Sequence, residues 1–262
     1  MNKYNLEKIE NLCKNDEKKF KILDDLSSKN YAFVIYFSDI KNLSFYLVFA
    51  KSLKLVNTKA DIIIMISSDL DDDVMNLLRT SFNKIIKVQT HYDKFDNFFT
   101  RFKCLNFTEY KKIILINDNI IFIRNIDSLF SVKSPACTLS NINIDTTTQV
   151  NLSNVKKYCK NKNHNKLINY GLDELDKFNI LDILVLKPNK KKYKKFFKNL
   201  YDYLNNKNIS SPNDFLINYF FGKIRYIDER FLGINGFPDL RILYGIKFLD
   251  SPYSNKIDIN SL

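Results

Sequence analysis

Tryptophan is absent from this chain, and glycine and proline are scarce, at five each in 262 residues. So few glycines leave little material for a phosphate-cradling loop. Neither a G-x-G-x-x-G nor a Walker pattern occurs, which argues against a dinucleotide-binding Rossmann domain or a P-loop enzyme. Histidine is nearly missing, with only His91 and His164. The cysteines (Cys13, Cys104, Cys137, Cys159) stand far apart with no C-x-x-C pair, so their spacing offers no zinc site and they read as buried free thiols. No apolar run approaches the roughly 18 residues that span a bilayer, so no membrane span is expected. The N-terminal run MNKYNLEKIENLCKNDEKKFK is too polar and charged for a secretory signal. These absences lead to the expectation of a soluble, cytoplasmic protein.

What is present suits one large α/β domain: 45% hydrophobic and 14% aromatic residues, enough apolar side chain to offset chain entropy. The formal charge is +12. A basic surface favours an anionic partner such as a nucleotide diphosphate, a nucleic acid or a membrane face. Enrichment in Asn, Lys, Ile, Tyr and Phe without Trp also follows from an AT-rich genome, such as that of a large DNA virus acting inside its host cell or of a parasite. No basic-aromatic RNA motif is visible, so nucleic acid is not an expected partner.

Residues 1–30 read as a charged helical extension. From Tyr31 the pattern alternates. Strands are expected at Ala32–Phe37, Asp61–Ile66, Ile85–Val88, Lys112–Ile116 and Ile180–Leu186. Helices are expected at Leu43–Leu55, after the acidic run Asp69, Asp71, Asp72, Asp73, and at Phe98–Phe107, Lys190–Leu204 and Asn213–Phe221. This is a βαβ pattern with a mostly parallel sheet. Asn141–Tyr170 is polar and reads as a loop with one short helix. Lys187, Lys190, Lys191, Lys192, Lys194, Lys195 and Lys198 crowd one segment, opposite Phe196, Phe197, Leu200 and Leu204. They read most simply as a solvated helix face, with an acidic-membrane or polyanion contact as the sharper alternative.

The segment Tyr110–Phe130 carries the most information. Two apolar runs, Ile113–Ile116 and Ile120–Ile123, flank Asn117-Asp118-Asn119, and Arg124-Asn125-Ile126-Asp127 follows. A short β-branched run ending in Asn/Asp is a buried strand that delivers polar side chains to a sheet edge, where ligands bind in open α/β sheets.

This segment resembles the signature of glycogenin-like glycosyltransferases, the retaining family 8. Arg124 to Phe130 reads like the family's R-N-I-D-x-L-F. Arg101 matches its basic residue at the sugar diphosphate. Ala32-Phe33-Val34 with Leu47–Leu53 resembles its first strand and helix, and Ile183–Pro188 the strand behind the acceptor site. The resemblance covers roughly Tyr31 to Asp250. It implies a GT-A fold, a mixed, mostly parallel sheet flanked by helices, with residues 31–130 as the nucleotide-binding half and 131–250 as the acceptor half; 251–262 is a tail. It further implies a UDP-sugar donor, transfer with retention, and Mn²⁺ held by Asp-x-Asp and a later His. A homodimer is admitted.

Here the Asp-x-Asp positions read Asn117 and Asn119, with Asp118 between, and the His position reads Lys247. The uracil-contacting Tyr falls at Asn42, the small residue after it at Phe45, the acceptor-side N-x-G at Ile180-Leu181-Asp182, and the Asp-Gln pair at Asn213-Asp214. Asparagine lends a carbonyl oxygen to a cation but no charge. Two readings of the site follow. In the first, Arg101, Asn117, Asp118, Asn119 and Lys247 bind the nucleotide sugar with little or no metal, and Asp214 and Asp182 act beside the sugar. In the second, the fold persists as a catalytically inactive binding or scaffold protein. A basic nucleic-acid-binding protein rests on charge alone.

Overall fold

The computed structural model describes residues 30–90, 96–117, 120–138, 140–141, 178–179, 182–206, 212–220, 223–227, 231, 233–234 and 245–247. The N-terminal extension up to residue 29, the polar stretch 142–170, the tail 251–262, Cys13, Cys159, both histidines, Asp118 and Asn119 lie outside the described residues.

The β-branched runs form the strands, because a side chain branched at Cβ fits a pleated surface buried on both faces. These strands are β1 (Tyr31–Tyr36), β2 (Asp61–Ile66), β3 (Lys84–Lys87) and β4 (Lys112–Ile116). After β5 (Ile120–Phe122) come β6 (Ala136–Cys137), β7 (Ser140–Asn141), β8 (Phe178–Asn179), β9 (Ile183–Leu186), β10 (Arg225–Tyr226), β11 (Gly233–Ile234) and β12 (Gly245–Lys247). Seven of them form one sheet in the order β10-β6-β9-β4-β1-β2-β3. Every neighbouring pair is parallel except the two that involve β9, which runs against β4 and β6.

Successive residues face opposite sides of the sheet. On one side Val34, Met65, Leu115 and Leu184 meet Phe99, Phe102, Phe196 and Phe215. These rings come from α3 (Asp96–Thr100), the 3₁₀ helix Arg101–Asn106, α4 (Lys190–Asn206) and α5 (Pro212–Phe220). On the other side Phe33, Ile64, Ile114 and Val185 meet Tyr46, Phe49 and Leu53 of α1 (Leu43–Leu55) and Leu78 of α2 (Asp72–Ser81).

Most boundaries fall within a residue or two of the expected ones. The segment Phe98–Phe107 differs in kind: it is a short α-helix running into a 3₁₀ helix. Phe99, Phe102 and Leu105 are all buried. A spacing of three lines them up on a helix of three residues per turn, which an α-helix would fan apart. The ninth strand begins at Ile183; Ile180 and Leu181, in the strand expected from Ile180, lie outside the described residues.

Two contacts explain motif residues whose role is structural. Asp127 is buried, accepts hydrogen bonds from Thr58 Oγ1 (2.5 Å) and the Lys59 amide (2.8 Å), and so clamps the turn from α1 into β2. Asn125 reaches the carbonyl of Asn57, which holds φ 56°, in the left-handed region that asparagine tolerates. The R-N-I-D run thus fastens a loop 68 residues away in sequence. Likewise Ser52 Oγ, in the middle of α1, accepts from the Phe122 amide of β5 at 3.1 Å and donates to the Phe49 carbonyl at 2.8 Å.

The strand β5 has left the main sheet and pairs antiparallel with β12, which in turn pairs with β11. Gly245 lies opposite Phe122, and a Cβ there would stand 2.9 Å from the Phe122 ring and 3.1 Å from the Phe231 carbonyl.

Replacing Asp127 by Ala leaves the Thr58 hydroxyl and the Lys59 amide without their carboxylate. The expected loss is roughly 3 kcal/mol, a fall of roughly 6–12 °C in melting temperature for a domain of this size. Thermal unfolding by circular dichroism measures it; a fall within about 1 °C of zero would refute the clamp.

Candidate functional site

The sheet's polarity defines one edge. The parallel strands β1, β2, β3, β4 and β6 end there, and the reversed strand β9 begins there. Polar residues punctuate this edge across five strands: Tyr36 with Ser67, Asn117, Asp182 and Thr138. The register sets Ile116 opposite Ile183, so the next pair outward is Asn117 with Asp182. The Asn117 amide continues the ladder by donating to the Asp182 carbonyl at 3.1 Å.

Their side chains emerge on the same face as Leu115 and Leu184, which is the face covered by the 3₁₀ helix. That helix begins with Arg101. Phe102 and Cys104, buried behind it, fix its seat, and the Arg101 guanidinium lies 5.5 Å from the Phe98 ring centre. Arg101 Nη1 donates to Asn117 Oδ1 at 2.7 Å, and Asn117 Nδ2 donates to Asp182 Oδ1 at 3.5 Å.

The order of these three groups has chemical content. An amide has one accepting and one donating end. Here the accepting end faces the cation and the donating end faces the carboxylate. An aspartate at 117 would satisfy Arg101 but would set a second carboxylate against Asp182, which is fully buried. Asparagine serves both neighbours, and a buried carboxylate needs such partners.

Mn²⁺, implied by the family resemblance, does not fit the donors found. The Asn117 oxygen that would ligate it already accepts from a guanidinium, whose charge opposes a second cation at the same atom. Among the described residues, no three His, Cys, Asp or Glu side chains come together.

Arg101, Asn117 and Asp182 are thus brought together. Lys247 is placed by its backbone: it pairs with Ile120, the first residue after the Asn117-Asp118-Asn119 triplet. Asp118 and Asn119 lie outside the described residues, as do the side chains of Lys247 and Asp214. Asp214 sits in the first turn of α5, next to Phe215, whose ring meets Phe99 edge-on at 5.7 Å. Phe99 precedes Arg101 by two residues, so this turn packs beside the segment that carries the guanidinium. Asn42 closes the short 3₁₀ helix after β1, and Phe45 is buried in the first turn of α1.

Sequence reasoning missed the Tyr36–Ser67 pair, whose hydroxyls meet at 2.8 Å where β1 and β2 end. The available signal was a polar residue at or just past the last apolar residue of each strand. Burial raises the Cys104 thiol well above the usual thiol range, so this cysteine is an inert core group rather than a nucleophile.

No protein-family model matches the chain. It is 27% identical to an uncharacterized protein of Acanthamoeba polyphaga mimivirus over 236 residues, which are 85% of this chain and 73% of that one. It is 24% identical over 132 residues to inositol phosphorylceramide glucuronosyltransferase 1 of Arabidopsis thaliana, covering 48% of this chain and a fifth (20%) of the plant protein. Among solved structures it superposes on the galactosyltransferase LgtC in complex with donor and acceptor sugar analogues. The TM-score is 0.54 at 13% identity, with 83% of this chain and 86% of that one covered. It also superposes on the bifunctional glycosyltransferase WbbM, with TM-score 0.57 at 13% identity, covering 85% of this chain and 46% of that one.

The fold is that of the GT-A glycosyltransferases. Among the described residues no helix is long and apolar enough to cross a membrane.

Replacing Asn117 by Leu keeps the shape but removes both ends of the bridge. The expected cost is about 2–4 kcal/mol. It should exceed that of Arg101→Met, which leaves the amide–carboxylate contact in place. Urea unfolding of both variants checks the order; an Asn117→Leu protein as stable as the parent would remove the bridge from the account.

Proposed function

We propose that this GT-A-fold protein is glycogenin-like and binds a UDP-sugar at the β4–β9 edge without a metal ion, transferring the sugar with retention if it turns over. The observation that carries this reading is the cation–amide–carboxylate row Arg101–Asn117–Asp182 at the carboxyl edge of the sheet, where open α/β sheets take ligands. The leaving group of such a transfer is a diphosphate, and its developing charge needs fixed positive groups or a divalent cation. Arg101 supplies one charge. Lys247, whose backbone flanks the same triplet, is assigned as the second. Asn119 and Asp118 line the diphosphate in this reading, and Asp214 and Asp182 act beside the sugar. LgtC was solved with donor and acceptor sugar analogues, and the plant relative is named a glucuronosyltransferase, which supports the donor class. The mimivirus relative supports a viral origin.

The second reading is a catalytically inactive descendant that keeps the pocket for binding. The observation that favours it is the full burial of Asp182, which holds this carboxylate inside the fold rather than in an open crevice.

Thermal-shift measurements with UDP and UDP-glucose test the binding claim. A ligand at about 100 times its dissociation constant adds roughly 2.7 kcal/mol to stability. The expected result is a clear upward shift that EDTA leaves unchanged, that added Mn²⁺ does not enlarge, and that Arg101→Met abolishes. No shift at millimolar nucleotide sinks the proposal. Release of free UDP from UDP-glucose, measured on the same samples, separates the active reading from the inactive one.

A further inference from the structure

The helix α4 breaks a rule that α2 obeys. In α2 the first turn carries Asp72 and Asp73 and the last turn Arg79, which matches charge to the helix dipole at both ends. In α4 the order is reversed. Lys190, Lys191 and Lys192 open the helix, with no acidic residue in the first turn and no basic residue in the last.

With Lys187 just upstream and Lys194, Lys195 and Lys198 following, seven lysines precede the helix's only acid, Asp202. All seven are exposed, and among the described residues none of their ammonium groups has a carboxylate within ion-pair distance. Phe196 and Leu200 are fully buried. That burial points Lys191, Lys194, Lys195 and Lys198, spaced three and four apart, directly away from the core as one stripe. The exposed ring of Tyr201 flanks it. A helix that only had to stay solvated gains nothing from cations at its positive end.

From this we infer that α4 is a docking face for an acidic lipid bilayer. Charge complementarity selects an anionic surface. Its all-lysine chemistry favours a membrane over a nucleic acid. The stripe lies on the outer side of a 17-residue helix and contains no arginine. Bidentate recognition of bases and phosphates favours arginine's planar fork, whereas compact ammonium charges answer to the diffuse potential of anionic headgroups.

The apolar face of α4 is committed to the core, so contact is electrostatic adsorption without insertion. Topology sets the orientation. The strand β9 leads away from the candidate site, and α4 begins after three intervening residues, so the lysine-rich half lies toward the opposite edge of the sheet. A protein adsorbed this way keeps its candidate site free.

Vesicle co-sedimentation of the full chain tests this, with phosphatidylcholine vesicles containing about 30% phosphatidylserine against phosphatidylcholine alone. Binding is expected only to the acidic vesicles in about 0.1 M salt and is expected to be lost in about 1 M salt. Each lysine near an acidic surface contributes roughly fivefold in affinity, so Lys191→Gln, Lys194→Gln, Lys195→Gln and Lys198→Gln combined should weaken binding by roughly two to three orders of magnitude. The combined variant should keep the parental melting temperature and nucleotide response, since these side chains touch neither core nor site. Equal binding to neutral vesicles, or an unweakened quadruple variant, overturns the inference. So does displacement from the vesicles by duplex or single-stranded nucleic acid at equal phosphate concentration, which would assign the stripe to nucleic acid.

Discussion

The antiparallel pairing of β9 with β4 is the constraint on which the site depends. In the seven-stranded sheet every neighbouring pair outside β9 is parallel, so strand ends of one polarity collect at one edge. Reversing β9 brings a strand beginning to that edge, and the residue just before it is Asp182. The last rung of the ladder, from the Asn117 amide to the Asp182 carbonyl, holds the two side chains side by side. Arg101 then completes the row from above, because buried Phe99 and Phe102 on either side of it fix where it stands. A one-residue slip of β9 would turn Asp182 to the opposite face.

Much of this was legible before any coordinates. The limits of α1, β2 and β4 coincide with those expected from period and β-branching alone, since these segments are buried deeply enough for pattern to decide. The polar residue after β4 announced the edge. The pairing of Asn117 with Asp182 was not legible, because 65 residues separate them and register is set by tertiary packing. The family resemblance sets Asp182 in an acceptor motif from which it departs, and the structure places it opposite Asn117, the first residue of the triplet. The 3₁₀ conformation of 101–106 was also hidden, although the three-residue spacing of Phe99, Phe102 and Leu105 carried the hint. The Tyr36–Ser67 contact depends on two strand ends meeting in space, which no single segment encodes.

Polar groups divide between two jobs. Asp127, Asn125 and Ser52 belong to motifs that look functional, yet their contacts are internal: they hold a turn, a loop and a strand in place. Asn117 and Asp182 sit together at the carboxyl edge of the sheet, bridged to Arg101. The sequence motif R-N-I-D is therefore evidence about architecture, and the amide at 117 is evidence about chemistry. The second strand pair at the site depends on a different economy of space. Gly245 lets β12 lie flat against Phe122, and Lys247 follows two residues later beside the triplet.

The outermost strand of the sheet, β3, reads Lys84-Ile85-Ile86-Lys87 and, among the described residues, has a neighbour on one side only. An open strand edge is a template for self-association. If a second copy approached antiparallel and in register, Lys84 would face Lys87 of the other chain at both ends of a four-residue ladder. The two isoleucines between are too short a run to offset that repulsion. Lysines at both ends of so short a strand are among the devices that keep a sheet edge from pairing with a second copy.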